Sequence, residues 1–279
     1  MKKPTNQKLG LALGGGSALG FAHIGVLKAL ENNNIPIDFI SGTSSGAIVG
    51  ALYAFGIPIK TIEKEAGQIT WRKLAKIRLS ALGLTSNDIV REILTRQIGS
   101  NANIEDAKIP LAIVTTNIEN GKRCVLKKGN VIDAVMASSC LPGLFSPIEI
   151  NGTLLVDGGI VENVPITPLK TFGAKVTIGV NLLRHRRYTK PQSIIGVLVN
   201  SFDMINHRIS AQPKQGDVDF LIEPDLSSYF MGDVEKFKEI AECGYQETLK
   251  YIADIKELQN QPSFKEILQK FIKIFIGKK

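Results

Sequence analysis

Histidine and cysteine are scarce in this sequence, and their scarcity limits the chemistry that it can carry. Only three of each occur among 279 residues. The cysteines are scattered, odd in number and without a CxxC pair, which excludes a zinc ribbon and suits a reducing compartment. Any site that needs a histidine has only three candidates.

Long apolar runs and an N-terminal targeting signal are also lacking. Residues 1–8 contain no apolar core of a signal peptide. No apolar run approaches the roughly 18 residues that a membrane-spanning helix needs. We therefore expect a cytoplasmic protein.

Positive charge is in excess, because 34 lysines and arginines outnumber 26 aspartates and glutamates and give a net charge of +8. This excess favours an anionic partner, which could be nucleic acid, anionic lipid or an acidic substrate. We expect no nucleic acid partner, because no recognition motif is present and aromatic residues make up only 6% of the chain.

Apolar runs alternate along the chain with segments of helical periodicity. The predicted strands span residues 8–13, 35–41, 111–116, 123–127, 153–157, 175–182 and 218–222. The predicted helices span residues 18–31, 45–55, 88–98, 132–138, 194–208 and 234–255. This alternation predicts an α/β fold whose mostly parallel sheet is covered by helices on both faces. Residues 1–260 are expected to form one domain, and residues 261–279 a separate C-terminal helix.

Three consecutive glycines, Gly14, Gly15 and Gly16, join the first predicted strand to the first helix. A dinucleotide site requires G-x-G-x-x-G, whereas Gly20 comes one residue too late for that spacing. A P-loop requires Lys-Ser/Thr after its last glycine, and this chain has Phe21-Ala22 there. We favour a third interpretation, in which the loop amides form an oxyanion hole for a nucleophile on the next strand.

The next strand–helix junction contains that nucleophile candidate. Gly42-Thr43-Ser44-Ser45-Gly46 matches G-x-S-x-G between an apolar strand and a helix of small residues. This context places a serine on a sharp turn with its hydroxyl exposed, and the flanking Gly42 and Gly46 relieve crowding. A glycine-rich turn without chemistry is the alternative. The pattern predicts Ser44 as a nucleophile.

A nucleophilic serine needs a base, and the histidines are poor candidates for it. The order Ser44, Asp157, then His185 or His207 would fit an α/β-hydrolase triad. However, residue 44 is too early in the chain for that fold, and His185 lies in a basic loop. His23 is expected to be a structural helix residue.

Asp157 is the favoured base. It ends an apolar strand and precedes Gly158 and Gly159. At the carboxyl end of a parallel strand it would share an edge with Ser44. Burial there would raise the pKa of the carboxyl group and make it a better base. An ordinary Asp-Gly turn is the alternative.

Four segments together resemble the patatin-like phospholipase family: GGGSALGFAHIGVLKAL, GTSSG, AVMASSCLPGLFSPI and DGGIVENVPITPLKTFGA. The resemblance covers about residues 8–182 and implies a three-layer α/β/α fold with a Ser–Asp dyad. It assigns Ser44 as nucleophile, Asp157 as base and the amides of Gly14–Gly16 as the oxyanion hole. Leu19 replaces the usual Arg or Lys of the first motif, and Ser17 stands where a further glycine is common.

The resemblance implies hydrolysis of acyl esters in phospholipids or related lipids through an acyl-enzyme, with no metal and no cofactor. A soluble carboxylesterase or thioesterase with the same dyad is one alternative. A catalytically vestigial regulatory protein is another, because the glycine motif is altered.

The C-terminal residues 262–279 place apolar side chains at i, i+3 and i+4 spacing and lysines between them. Such a basic amphipathic helix could lie on an anionic bilayer, which would hold the protein at the inner membrane face. The same stripe could instead pack on the domain.

Overall fold

The computed structural model describes residues 7–70, 77–80, 83–85, 87–185, 187–188, 190–210 and 217–261. The predicted C-terminal helix of residues 262–279 lies outside them. No helix in these ranges is both long and apolar enough to cross a membrane.

A mixed sheet forms the centre of the described chain. Its strands are β1 (Leu9–Leu13), β2 (Phe39–Thr43), β5 (Leu111–Asn117), β6 (Arg123–Leu126), β7 (Ile148–Ile150), β8 (Thr153–Asp157), β9 (Val176–Val180) and β10 (Phe220–Ile222). A separate hairpin contains β3 (Ile77–Ser80) and β4 (Gly83–Thr85). The strand order of the main sheet is β10-β9-β1-β2-β5-β8-β7, and β6 also pairs with β5.

The sheet agrees with the predicted fold in its centre but not at its β8 end. Strands β10, β9, β1, β2 and β5 are mutually parallel, as expected. Strand β8, which was predicted to be parallel, is antiparallel to β5. Strand β8 enters the sheet as the second strand of a hairpin with β7, so β7 takes the direction of β5 and β8 the opposite one. Asn151 and Gly152 have φ of 51° and 74° and form the tight turn of this hairpin. Asn-Gly is a strong signal for such hairpins.

Three strands meet along β5 in a way that positions the site. Strand β6 pairs with Ile113–Thr116 of β5, overlapping the residues paired with β2 and those paired with β8. Because each residue of a strand has one partner on each side, β2 and β8 must both lie on the edge opposite β6. Thr43 of β2 pairs with Val114, and Asp157 of β8 pairs with the next residue, Thr115. The carboxyl ends of β2 and β8 therefore meet end to end.

Helices flank this sheet on both faces, which confirms the three-layer prediction. They are α1 (Ala22–Asn32), α2 (Ser45–Ala54), α3 (Ile59–Ala66), α4 (Asp88–Ile98), α5 (Val131–Ser138), α6 (Thr167–Phe172), α7 (Ile194–Ser210), α8 (Phe237–Leu249) and α9 (Ile252–Asn260). The first predicted helix begins as a 3₁₀ turn, Ser17–Phe21, and the long helix predicted over 234–255 is interrupted between α8 and α9.

Alternation along β1 divides the core between the two faces. Leu9, Leu11 and Leu13 are fully buried in the larger cluster, which includes α1 and α2. Ala12 points to the other face, where it packs with Leu169 of α6. With both faces covered, every residue of β1 is buried.

Candidate active site

Ser44 occupies a strained turn between β2 and α2. Its backbone has φ 53° and ψ −124°, a region that residues other than glycine rarely adopt. The flanking glycines are required by space. A Cβ on Gly46 would lie 2.1 Å from the Leu13 carbonyl oxygen, and one on Gly42 would lie 2.6 Å from Cα of Ala47. The local pattern therefore produces the predicted elbow.

Ser138, at the end of α5, holds this elbow in place. The Ser44 amide donates to Oγ of Ser138 at 2.9 Å, and the Ser138 hydroxyl donates to the Val114 carbonyl at 2.6 Å. Sequence reasoning gave Ser138 no individual role, although it lies in one of the segments that carry the family resemblance. The hydrogen bonds fix the elbow against β5.

Asp157 lies at the carboxyl end of β8 and is completely buried. Its Oδ1 accepts a hydrogen bond from the Gly159 amide at 2.8 Å. A Cβ on Gly158 would lie 2.3 Å from the Val114 carbonyl oxygen, so the turn after Asp157 presses against β5. Gly158 and Gly159 thus begin a 3₁₀ turn that Asp157 caps.

Burial raises the pKa of Asp157 to about 7, although the nearby Ser44 hydroxyl and the Gly159 amide both favour its charged form. Within the described residues, Oδ2 of Asp157 receives no hydrogen bond. This oxygen is consequently available to accept a proton. A pKa near neutrality suits a general base at physiological pH.

The glycine loop passes close to Ser44. A Cβ on Gly15 would lie 3.0 Å from Cβ of Ser44. However, the Gly14 amide donates to the Val180 carbonyl at 3.1 Å, and the Gly15 amide donates to Oδ1 of Asn163 at 3.1 Å. Of the three predicted oxyanion donors, only the Gly16 amide lacks an acceptor in the described part of the chain.

The two departures from the family motif have different surroundings. Leu19 is fully buried in the larger core cluster, so its side chain contributes to packing. Ser17 has φ 50° and begins the 3₁₀ turn, which explains why glycine is common at this position. The Ser17 amide also lacks an acceptor within the described residues.

His23 contacts the backbone of the glycine loop. Its Nε2 is 2.7 Å from the Gly14 carbonyl oxygen, and its side chain is completely buried. Burial lowers the pKa of His23 to about 4, so the ring is neutral at pH 7 and Nε2 is its donor. The expected structural role of His23 thus takes the form of a contact with the glycine loop.

The other two histidines lie elsewhere. His207 pairs with the Tyr188 hydroxyl at 2.8 Å, and His185 is exposed near Asp225. None of the three histidines is hydrogen-bonded to Ser44 or Asp157 in the described structure. The geometry does not assemble the alternative Ser–Asp–His triad.

Ser44 lies at the wall of a cavity of about 460 Å³. The lining is almost entirely apolar and includes Ile48 and Leu52 of α2, Ile62 of α3 and Ile93 of α4. A buried carboxylate, Glu65, also borders it and is paired with Arg96 at 2.5 Å. Because these side chains come from distant segments, the sequence alone could not have predicted the cavity.

Comparisons with known proteins concern the family and the fold of this chain. The patatin-like phospholipase model matches residues 11–170. Lysophospholipase NTE1 of Kluyveromyces lactis is 30% identical over 92% of this chain and 20% of its own length. Lysophospholipase NTE1 of Candida glabrata is 38% identical over 64% of this chain and 11% of its own length. An uncharacterized NTE family protein of Mycobacterium bovis is 34% identical over 64% of this chain and 50% of its own length.

The chain spans at most a fifth of the length of the two fungal relatives. Among solved structures, VipD from Legionella pneumophila has a TM-score of 0.55 over 90% of this chain and 67% of that chain. The sequence identity is 14%, so this similarity concerns the fold.

Proposed function

The chain belongs to the patatin-like phospholipase family, and we propose that it hydrolyses acyl esters of phospholipids or lysophospholipids through a dyad of Ser44 and Asp157. The observation that carries this proposal is the meeting of three features. Ser44, which has a strained backbone, directly follows β2 and lines a large apolar cavity. Asp157, a buried carboxyl group with a raised pKa, lies across the end-to-end junction at the end of β8.

In the first half of the reaction, the Asp157 carboxylate takes the proton of the Ser44 hydroxyl while Oγ attacks the ester carbonyl carbon. The carbonyl oxygen becomes an oxyanion facing the amides of Gly16 and Ser17, which have no other acceptor within the described residues. The intermediate then collapses, the ester C–O bond breaks, and the leaving alcohol takes the proton from Asp157. Ser44 is left acylated.

In the second half, Asp157 takes a proton from water, and the resulting hydroxide attacks the acyl carbonyl. Collapse of this intermediate releases the fatty acid and returns the proton to Ser44. The neutral carboxyl of a protonated Asp157 cannot begin either half, so its pKa of about 7 sets the pH range of the reaction.

The cavity supports a lipid acyl group as the substrate portion next to Ser44. An acyl chain would replace water on the apolar walls, and this burial is favourable in proportion to chain length. The acyl group of a short soluble ester, the substrate of the carboxylesterase alternative, would leave most of the cavity unfilled. Relatives named lysophospholipase also support a lipid substrate for this chain.

Covalent labelling with a fluorophosphonate probe tests the nucleophile. We expect the wild type to be labelled and Ser44→Ala not to be labelled. Ser45→Ala is the matched control, because Ser45 is the neighbouring serine and its hydroxyl has no partner within the described residues. Labelling of Ser44→Ala equal to that of the wild type would contradict the proposal.

Hydrolysis of lysophosphatidylcholine, followed by mass spectrometry of the released fatty acid, tests the reaction. Ser44→Ala and Asp157→Asn should each lose at least about a thousandfold in kcat/KM. Hydrolysis of short soluble esters without lipid hydrolysis would favour the carboxylesterase alternative. Absence of both activities and of labelling would favour the vestigial regulatory alternative.

The division into a domain of residues 1–260 and a helix of residues 261–279 remains part of this proposal, as does membrane binding by that helix. Deletion of residues 262–279 should leave hydrolysis of a soluble ester unchanged while weakening binding to anionic vesicles.

A further inference from the structure

Helix α7 has its polarity reversed relative to an ordinary surface helix. Asp203 and Asn206 are buried, whereas Ile194 is 78% exposed and Ile205 is 46% exposed. A surface helix usually turns its apolar side chains inward and its polar ones to water. The exposed side chains that form this α7 apolar face are Ile194, Ile195, Val197, Leu198, Met204 and Ile205.

Contacts beneath α7 fix this orientation. The side chain of Asn206 lies against Gly159, because a Cβ added to Gly159 would be 2.7 Å from Nδ2 of Asn206. Gly159 in turn donates its own amide to Asp157. Rolling the helix to bury its apolar face would remove Asn206 from this position, so the exposed apolar face is a property of the folded chain.

The α7 apolar face continues into the cavity beside Ser44. Ile195 belongs to the face and also lines the cavity, as does Val199 one turn further along the helix. Leu198 lies next to Gly143, in the loop whose Leu144 and Phe145 complete the cavity wall. An apolar path therefore runs from the outer surface of α7 to the nucleophile.

Basic side chains border the same face. Arg187 and Lys190 are exposed just before α7, and Arg208 is exposed near its end. The hydrogen bond between Tyr188 and His207 ties the preceding segment to the helix. Asp225 lies near Arg187 and balances part of this charge. Glu223 pairs with Arg184, outside the border, at 3.8 Å.

We propose that the α7 apolar face and its basic border dock on the surface of an anionic phospholipid membrane. Exposed isoleucine and valine side chains next to lysine and arginine are the combination that binds at a lipid headgroup boundary. The continuity with the cavity favours a bilayer over a protein partner, because a lipid acyl chain could then move from the membrane to Ser44 without crossing water. This last step depends on the proposed function, whereas docking itself does not.

Vesicle sedimentation of the full chain carrying Ser44→Ala tests docking without catalysis. The probe is a vesicle of equal parts phosphatidylcholine and phosphatidylglycerol, compared with phosphatidylcholine alone. Adding Ile194→Ser and Ile205→Ser should lower the partition coefficient about tenfold or more. The matched control is Leu249→Ser, because Leu249 is 38% exposed at the end of α8 and lies away from the cavity.

The charge border is tested separately with Arg187→Ala and Lys190→Ala. This double variant should lose most of the preference for anionic vesicles. High salt should likewise reduce the preference of the parent chain for anionic vesicles. Circular dichroism and thermal melting verify that the variants fold.

Equal binding by the Ile194/Ile205 variant and the Leu249 control overturns the proposal, and so does a parent chain that binds neither vesicle. Equal binding of these two chains would also be the result if residues 262–279, and not α7, carried the attachment to the membrane. If the variant only converts a dimer to a monomer, by light scattering, the face is an interface between two copies and the proposal is wrong. Fluorophosphonate labelling of chains with native Ser44 reports the proposed function independently of docking.

Discussion

Replacement of Asp157 by asparagine should stabilise the fold at alkaline pH while it removes the proposed base. Asparagine has the same shape and can still accept the hydrogen bond from the Gly159 amide, but it carries no charge. Burial raises the pKa of Asp157 from 3.8 to about 7. Each unit corresponds to about 1.4 kcal/mol, so the buried charge costs the wild type about 4 kcal/mol at pH 8.

The sign follows from the raised pKa. The fold favours the protonated carboxyl of Asp157. Its contribution to the free energy of unfolding is therefore fully present below the unfolded pKa of 3.8 and is lost as the pH rises through the folded pKa of about 7. Asp157→Asn should not show this loss. Between pH 5 and pH 8 its stability relative to the wild type should therefore increase by about 3 kcal/mol.

Urea unfolding followed by circular dichroism at pH 5, 6, 7 and 8 measures this difference. Comparing two pH values removes packing effects that do not depend on pH, and His23 titrates in both proteins alike. Asp254→Asn, at an exposed aspartate of α9, is the control and should change little across the range. A stability difference between Asp157→Asn and the wild type that stays constant from pH 5 to pH 8 would refute the buried, raised-pKa carboxyl.

Three further outcomes are expected. The kcat/KM of the wild type should fall about tenfold per pH unit below the Asp157 pKa of about 7 and level off above it; a flat profile in soluble-ester assays would exclude Asp157 as the base. His23→Leu removes the donor to the Gly14 carbonyl and should lower kcat about tenfold or more with little change in KM, whereas His23→Gln should restore part of it; equal kcat values would contradict a positioning role. Leu52→Phe narrows the cavity and should lower kcat/KM for long-chain esters about tenfold more than for short-chain esters, and equal losses at both lengths would argue against acyl binding there.

Some of the candidate site could be predicted from the sequence because its signals are local. The G-x-S-x-G pattern between a strand and a helix specified the turn at Ser44, and the structure contains that turn with a positive φ. Asp157 was predicted at the same edge of the sheet for a reason that is wrong, since β8 is antiparallel to β5. The Asn151-Gly152 pair indicates the β7–β8 hairpin, but the direction of β8 relative to β5 depends on pairing between distant segments.

The remaining features depend on contacts between distant segments. Ser138 accepts a hydrogen bond from the Ser44 amide although the two residues are 94 positions apart in the sequence. Asn163 accepts one from the Gly15 amide over a separation of 148 positions. Whether an amide of the glycine loop is free depends on partners of this kind, which no local spacing reveals. The cavity likewise combines side chains from several helices and loops.

The end-to-end meeting of β2 and β8 makes the position of the buried base depend on the register between β8 and β5. Strand β5 aligns Ser44 and Asp157, because Thr43 pairs with Val114 and Asp157 pairs with the next residue, Thr115. A slip of one residue would shift Asp157 by about 3.3 Å and turn it to the opposite face of the sheet. Insertions or deletions within β8 that shift its pairing with β5 should therefore impair the active site as directly as substitutions of Ser44 or Asp157.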